Sequence, residues 1–500
     1  MRFAGMTFAL LILVSGCADS RPVPQETVTF DGVIPSPPEN SDHGYLLEDE
    51  RIPTIPTCSE WEKFWVYDGP AVSFSVAQAN GDLFYLLEVS TEIYLKNKHL
   101  DMNGDGILCE SEGSSPKAQT ESQPSDNSSQ NFGISGSFRA KESTLSLPLS
   151  NCKIEKGPEN FIGVGFPRSK DLIPSIGTVR GMFLFVEFPD VRISSSIEKD
   201  FEIFATEFVE FYKRNSYGKL DIDIDFHPQA IQISRTSDEY GMQIWSQGDE
   251  VQYLLDAVSS ADNAVDFSEV DFVVVIPPRN ISEIVHGPAV PIADVSEVVS
   301  ASEARFLAGI LGGSDFRNST EAGWYWLSHE FGHLLGMGHP YQGSSVPWDL
   351  MDNNFSQLAP DLYGWHRFQN EWLGDEDVLC LNTEDLSIAQ PVRLEPMNNQ
   401  SEEINLVLAI SGPNELIAIE YRTGGEQNSL GPADSGILVY TVDSTRGFEG
   451  GISQVLPEKY SRLGVGRPGN SFEHNGVLIE IGTVTQEEAY VQISTLSGNR

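Results

Sequence analysis

Positive charge is scarce in this 500-residue chain, where 31 Lys and Arg stand against 73 Asp and Glu for a formal net charge of -42. Such a field repels phosphate backbones and anionic headgroups, so it argues against nucleic-acid or anionic-membrane binding and for a soluble, self-repelling surface. Long apolar runs are missing too. The one apolar run of note opens the chain, MRFAGMTFALLILVSGC, and it is too short to cross a bilayer, which makes residues 1–17 an export signal. Cysteine is sparse, with five in all. Setting Cys17 aside leaves Cys58, Cys109, Cys152 and Cys380, an even number compatible with two disulfides in an oxidising compartment. A chain of this length exceeds one ordinary domain, so two or three are expected.

What is present is concentrated in Ser319 to His339, STEAGWYWLSHEFGHLLGMGH. Histidines at i and i+4 share one helix face, so His329 and His333 can aim their imidazoles at one metal ion. Zinc is the expected metal. Glu330 lies beside that face, where a carboxylate can act as general base toward a zinc-activated water. Gly336 accepts the left-handed conformation, which ends the helix and returns the chain so that His339 becomes a third nitrogen ligand. A fourth position left open marks a catalytic rather than a structural site. Trp324, Leu327, Phe331, Leu334 and Leu335 form the apolar side on which this helix packs.

The run HEFGHLLGMGH resembles the zinc signature of the metzincin metalloproteases. That family carries a methionine turn beneath its metal, and Met351, in VPWDLMDNN, stands where the turn is expected. Asn353 occupies the position at which astacins and serralysins have a tyrosine, so no tyrosine ligand follows from the resemblance.

The end of the export signal resembles a bacterial lipobox, which implies lipid attachment at Cys17 and anchorage to the outer face of a membrane; an ordinary secretory signal with an incidental cysteine is the alternative. Residues 18–57 read as a spacer rich in Pro, Ser, Asp and Glu. Residues 58–112 end in LDMNGDGILCESE, where Asp101, Asn103 and Asp105 alternate and Gly106 permits a sharp turn around a hard cation, Ca2+ rather than Zn2+. In EF-hand spacing Ile107 adds its carbonyl and Glu112 the twelfth-position carboxylate. The run also resembles the excalibur module of bacterial surface proteins, which leaves Glu110 or Glu112 to close the site and pairs Cys109 with Cys58. Residues 113–144 are a flexible linker.

Residues 145–385 read as an α/β catalytic domain: buried strands at Val179–Asp190 and Asp271–Pro278, a helix at Phe201–Arg214, then the histidine helix. FLFVEFPD, EFVEFYKRNSYGKLDI, DFSEVDFVVVIPP, ELIAIEYR and GILVYTVD, in this order around the histidine motif, resemble the immune inhibitor A-like branch of secreted bacterial metzincins. WHRFQNEWLG at Trp365–Gly374 is similar to its post-turn helix. Residues 386–500 form a β-rich C-terminal domain, with strands at Ile404–Ile410, Glu415–Arg422, Gly436–Val442, Gly476–Ile481 and Tyr490–Thr495. Cys152 and Cys380 bracket the catalytic region and are expected to pair; a rival reading makes Cys152 a thiolate that caps the zinc.

The resemblance implies an exported, membrane-anchored zinc endopeptidase acting on extracellular proteins or peptides. Tyr325, Tyr341, Tyr363 and His366 are the candidates, by sequence proximity, for a side chain that assists the oxyanion. Two other readings stay open: a catalytically silent surface-binding protein that retains the zinc fold, and a zinc hydrolase of non-peptide amides.

Overall fold

The computed structural model describes residues 145–157, 161–243, 248–300, 303–314, 323–340, 348–351, 360–399, 403–424, 435–448, 450–458 and 464–496. Cys17, Cys58, the candidate calcium ligands Asp101, Asn103, Asp105, Ile107, Glu110 and Glu112, and Cys109 lie outside these residues, as do the signal, spacer and linker. Among the described residues, no helix is long and apolar enough to cross a membrane.

The described residues form a mixed α/β fold built on three sheets. The first sheet contains β1 (Gly177–Glu187), β2 (Leu220–Phe226), β3 (Ile231–Gln232), β4 (Phe272–Ile276), β5 (Ala289–Asp294) and β6 (Phe306–Leu311). Its order is β2-β1-β4-β6-β5, with β3 paired to the far end of β1. All pairs are parallel except β5 with β6, which leaves β5 as an antiparallel edge strand.

Helix α1 (Ile197–Asn215) and helix α3 (Gly323–Leu334) cover one face of this sheet, and α2 (Glu250–Ala261) covers the other. Side chains alternate between faces along a strand. Thus Phe183 and Phe185 meet α1 and α3, while Leu184 and Val186 point to the α2 side. Burial on both faces explains why the MFLFV half of β1 and FVVVI of β4 are continuous apolar runs. Helix α1 begins where the Ser196 hydroxyl accepts from Lys199 N, and it buries Phe204, Phe208, Phe211 and Tyr212 on one side.

After α4 (Gly364–Gln369) the chain becomes a two-sheet sandwich. One sheet comprises β7 (Val378–Asn382), β9 (Leu406–Ile410), β10 (Glu415–Arg422), β11 (Gly436–Asp443) and β12 (Ile452–Val455), in the order β12-β11-β10-β9-β7. The other orders as β13-β14-β15-β8 from β8 (Gln390–Leu394), β13 (Ser471–His474), β14 (Val477–Val484) and β15 (Ala489–Thr495). Again the two-residue period sorts side chains. Ile417, Ile419, Ile437 and Val439 face the other sheet, whereas Leu416, Ala418, Leu438 and Tyr440 pack on Trp348, Trp365 and Phe368. The sandwich therefore shares a core with the segments around the histidine site.

Cys152 is bonded to Cys380, so it is no zinc-capping thiolate. The post-turn helix is shorter than Trp365–Gly374, because Asn370 caps it and Glu371 adopts a positive φ of 63°. Strand β7 precedes residue 385 yet pairs with β9. Strands β2, β5 and β6 escaped the sequence reading: LDIDIDF and AVPIAD mix apolar residues with Asp or Pro.

Candidate metal centre

The histidine cluster is assembled by one helix and the turn that ends it. Its helix, α3, contains His329 and His333 one turn apart, and His339 returns to them from beyond the helix. That return is a Schellman closure: Met337 N donates to Gly332 O at 2.9 Å and Gly336 N to His333 O at 2.9 Å, with Gly336 at φ 86°. The backbone conformation is what requires glycine here; a Cβ on Gly336 would also fall 2.5 Å from Leu172 Cδ1, a side-chain end that can shift.

The ring nitrogens of His329, His333 and His339 lie within 4.8 Å of one another, and all three residues are buried. Each helical imidazole is held from behind. His329 Nδ1 donates to Leu350 O at 2.9 Å and His333 Nδ1 to Met337 O at 2.8 Å. A carbonyl can only accept, so Nδ1 carries the proton and Nε2 keeps its lone pair for a metal. His329 Nε2 stands 3.1 Å from His339 Nε2. His333 Nε2 is buried with no hydrogen-bond partner among the described residues. Burial, reinforced by His339, pushes the His329 pKa down to about 3, and burial likewise holds His333 far below its usual value. Neutral imidazoles that have already lost contact with water are the form in which histidine binds a metal.

Glu330 is also buried, with its Oε2 accepting from Ala289 N at 2.9 Å. Ala289 opens β5, so the carboxylate is tied to the edge strand. Trp326 Nε1 donates to Gly287 O at 3.0 Å and fixes the same approach to β5 one helical turn earlier. Met351 is fully buried beneath the helix: a Cβ on Gly332 would lie 2.3 Å from its Sδ. Glycine at 332, between the two helical histidines, is what lets the methionine come so close.

Beneath Met351 sits a carboxylate that the sequence reading passed over. Asp349 Oδ1 accepts from Met351 N at 2.7 Å, and its Oδ2 accepts from His366 Nδ1 at 2.9 Å and from Tyr363 N. Burial opposes ionisation of Asp349, but the His366 ring and these donors hold its pKa below the ordinary carboxylate value. His366 and Tyr363, considered as oxyanion donors, are buried in this network, while the Tyr325 ring packs at a tilt against Trp324 early in α3. Tyr341 lies outside the described residues.

The NSYGKL segment has a physical role here. Asn215 Oδ1 accepts from Leu362 N at 2.9 Å, and its amide donates to Asp361 Oδ1 at 3.1 Å. Tyr217 donates to Met397 O at 2.6 Å, and Lys219 Nζ to Trp372 O at 2.7 Å. The end of α1 is thereby fastened to the chain just below the histidine cluster. From the sandwich, Arg422 donates to Trp348 O at 2.7 Å, Leu362 O at 2.9 Å and Asp361 O at 3.2 Å, and pairs with buried Glu420 at 2.9 Å. The signal available for this clamp was Glu420 and Arg422, two charges at the end of the apolar run ELIAIEYR, since buried charges need partners.

Burial opposes ionisation of Asp361 as well, yet Arg367, Arg214 and Arg422 together hold its pKa below the usual value. A lowered folded pKa contributes stability that is complete above the unfolded pKa of about 4 and lost as pH falls through the folded value. Asp361→Asn is expected to cost about 3 kcal/mol near neutral pH. The gap between the urea midpoints of wild type and variant should then narrow at pH 3; a gap of constant width would show that the ionised carboxylate contributes nothing.

No protein-family model matches the chain and no curated protein matches it, so classification rests on its own residues and geometry. Fold and site together define a mixed α/β protein with a buried three-histidine cluster able to hold a metal ion.

Proposed function

We propose that the chain is an exported zinc-dependent metalloendopeptidase of metzincin type, resembling the immune inhibitor A-like branch, that hydrolyses peptide bonds of extracellular proteins. Lipid attachment at Cys17 and a calcium-binding module ending at Glu112 complete the reading, both on sequence grounds. The observation that carries the proposal is the convergence of three buried imidazoles beside a carboxylate tied to an edge strand.

The donor set fits zinc. Two zinc–nitrogen bonds of about 2.0–2.1 Å at a tetrahedral angle set their nitrogens about 3.3 Å apart, and the His329 and His339 Nε2 atoms are 3.1 Å apart. His329, His333 and His339 would hold the ion, which supplies Lewis acidity toward water and the scissile carbonyl. Glu330 accepts the proton of the attacking water and returns it to the leaving amine, its carboxylate steadied by Ala289 N. Strand β5 pairs with β6 on one side, among the described strands, so its other edge offers backbone groups to an extended peptide. Asp349, Met351 and the Leu350 carbonyl keep the histidine helix seated during the reaction.

The test is hydrolysis of a diverse peptide mixture by the signal-free protein, with zinc content measured on the same sample. Equimolar zinc is expected, with cleavage abolished by chelation and restored by zinc. Cleavage that persists without metal would overturn the proposal, and bound zinc without cleavage of any peptide would favour the silent binding protein.

A further inference from the structure

The third histidine differs mechanically from the other two. His329 and His333 are carried by a helix, whose own hydrogen bonds fix their backbones, but His339 lies five residues beyond the end of α3. A ligand on a loop must be ordered by something else, or ordering it weakens metal binding. What meets His339 comes from the sandwich, in the connection between β11 and β12. His339 N donates to Phe448 O at 2.8 Å, and Gly450 N donates to His339 O at 3.1 Å, so both backbone polar groups of the ligand are engaged by that connection.

The Phe448 ring then lies against two of the three ligands. Its centroid is 4.8 Å from that of His333 and 4.7 Å from that of His339. Space for this approach is made at Gly338, where a Cβ would fall 2.5 Å from Phe448 O. The connection is itself braced. Asp443 accepts from Thr445 N at 2.9 Å, Asp443 N donates to Gly451 O at 2.8 Å, and the Ser444 hydroxyl donates to Glu155 O at 2.7 Å.

We infer that Phe448 is a positioning residue of the metal centre, through which the sandwich fixes His339 and sets the angle between the His333 and His339 rings. The inference rests on the metal-binding reading of the three histidines. It makes the sandwich part of the site rather than only a support packed behind it. Phe448 bonds to no metal; it acts through the two imidazoles that do.

The experiment compares the full-length signal-free protein with Phe448→Ala, Phe448→Tyr and Gly338→Ala. Zinc affinity is read by chelator competition, ligand geometry by the visible absorption of the cobalt-loaded protein, and folding by unfolding of the metal-free form. Phe448→Ala should weaken zinc binding by about 10–100-fold, the usual effect of losing a group that orients a ligand, and alter the cobalt spectrum. Phe448→Tyr keeps the ring and should restore both. Gly338→Ala keeps the ring but displaces the connection, so it should resemble Phe448→Ala. A ring that only fills space would give equal losses of stability with and without metal, and an unchanged cobalt spectrum; that result overturns the inference while leaving the metal site standing. Failure of the wild type to bind either metal would remove both.

Discussion

Glu330→Gln is expected to lower kcat/KM for peptide hydrolysis by about 10²–10⁴-fold, the range set by loss of a positioned general base, with bound zinc unchanged. The substitution is chosen for what it preserves. Glutamine has the shape of glutamate, and its carbonyl oxygen can still accept the Ala289 N–H that now reaches Glu330 Oε2 at 2.9 Å. Seat and strand contact remain; the capacity to take up a proton disappears. Zinc content and the unfolding midpoint, measured beside the rate, separate lost chemistry from lost structure. A variant with wild-type turnover would remove Glu330 from the mechanism, and one that had also shed its zinc would say only that the site had collapsed.

The second large effect belongs to a residue that touches no substrate. Asp349→Ala is expected to destabilise the protein by about 3–5 kcal/mol, because removing one member of a buried charge-assisted network strands the others. Met351 N, Tyr363 N and His366 Nδ1 would all lose their acceptor. Met351 packs against the histidine helix at Gly332, and Leu350, between it and Asp349, supplies the carbonyl that orients His329. Metal affinity should therefore fall with stability. Asp349→Asn retains an acceptor oxygen but turns an amide donor toward one of the N–H groups, so an intermediate loss is expected. Guanidinium unfolding of metal-free and metal-loaded protein measures both; changes below about 1 kcal/mol in both variants would show that the network is dispensable.

The histidine helix was legible because its chemistry is periodic. Two histidines one turn apart and a glycine three residues after the second leave a pattern that survives without any knowledge of the fold. The sandwich strands Glu415–Arg422 and Gly436–Asp443 were legible for a related reason: covered on both faces, they read as apolar runs. Asp349 offered no such pattern. A single aspartate in a loop reads as a turn residue, and only the tertiary arrangement makes it an acceptor for three donors. Ala289 and Phe448 were hidden more completely, since one acts through a backbone N–H and the other through a contact between distant parts of the chain. The edge strand β5 was missed because Pro291 interrupts a six-residue run that also ends in aspartate.

The Cys152–Cys380 bond spans 228 residues of chain, and the histidine helix lies inside that span. Segment 145–157 is also bonded to the sandwich without it, through Leu147 N to Cys380 O and Gly157 N to Ser444 O. Any single nick between the two cysteines opens the loop without releasing a fragment. Such a molecule would run as one species until reductant is added, then fall into two. The same bond that closes the loop thus keeps an internally cleaved chain in one piece.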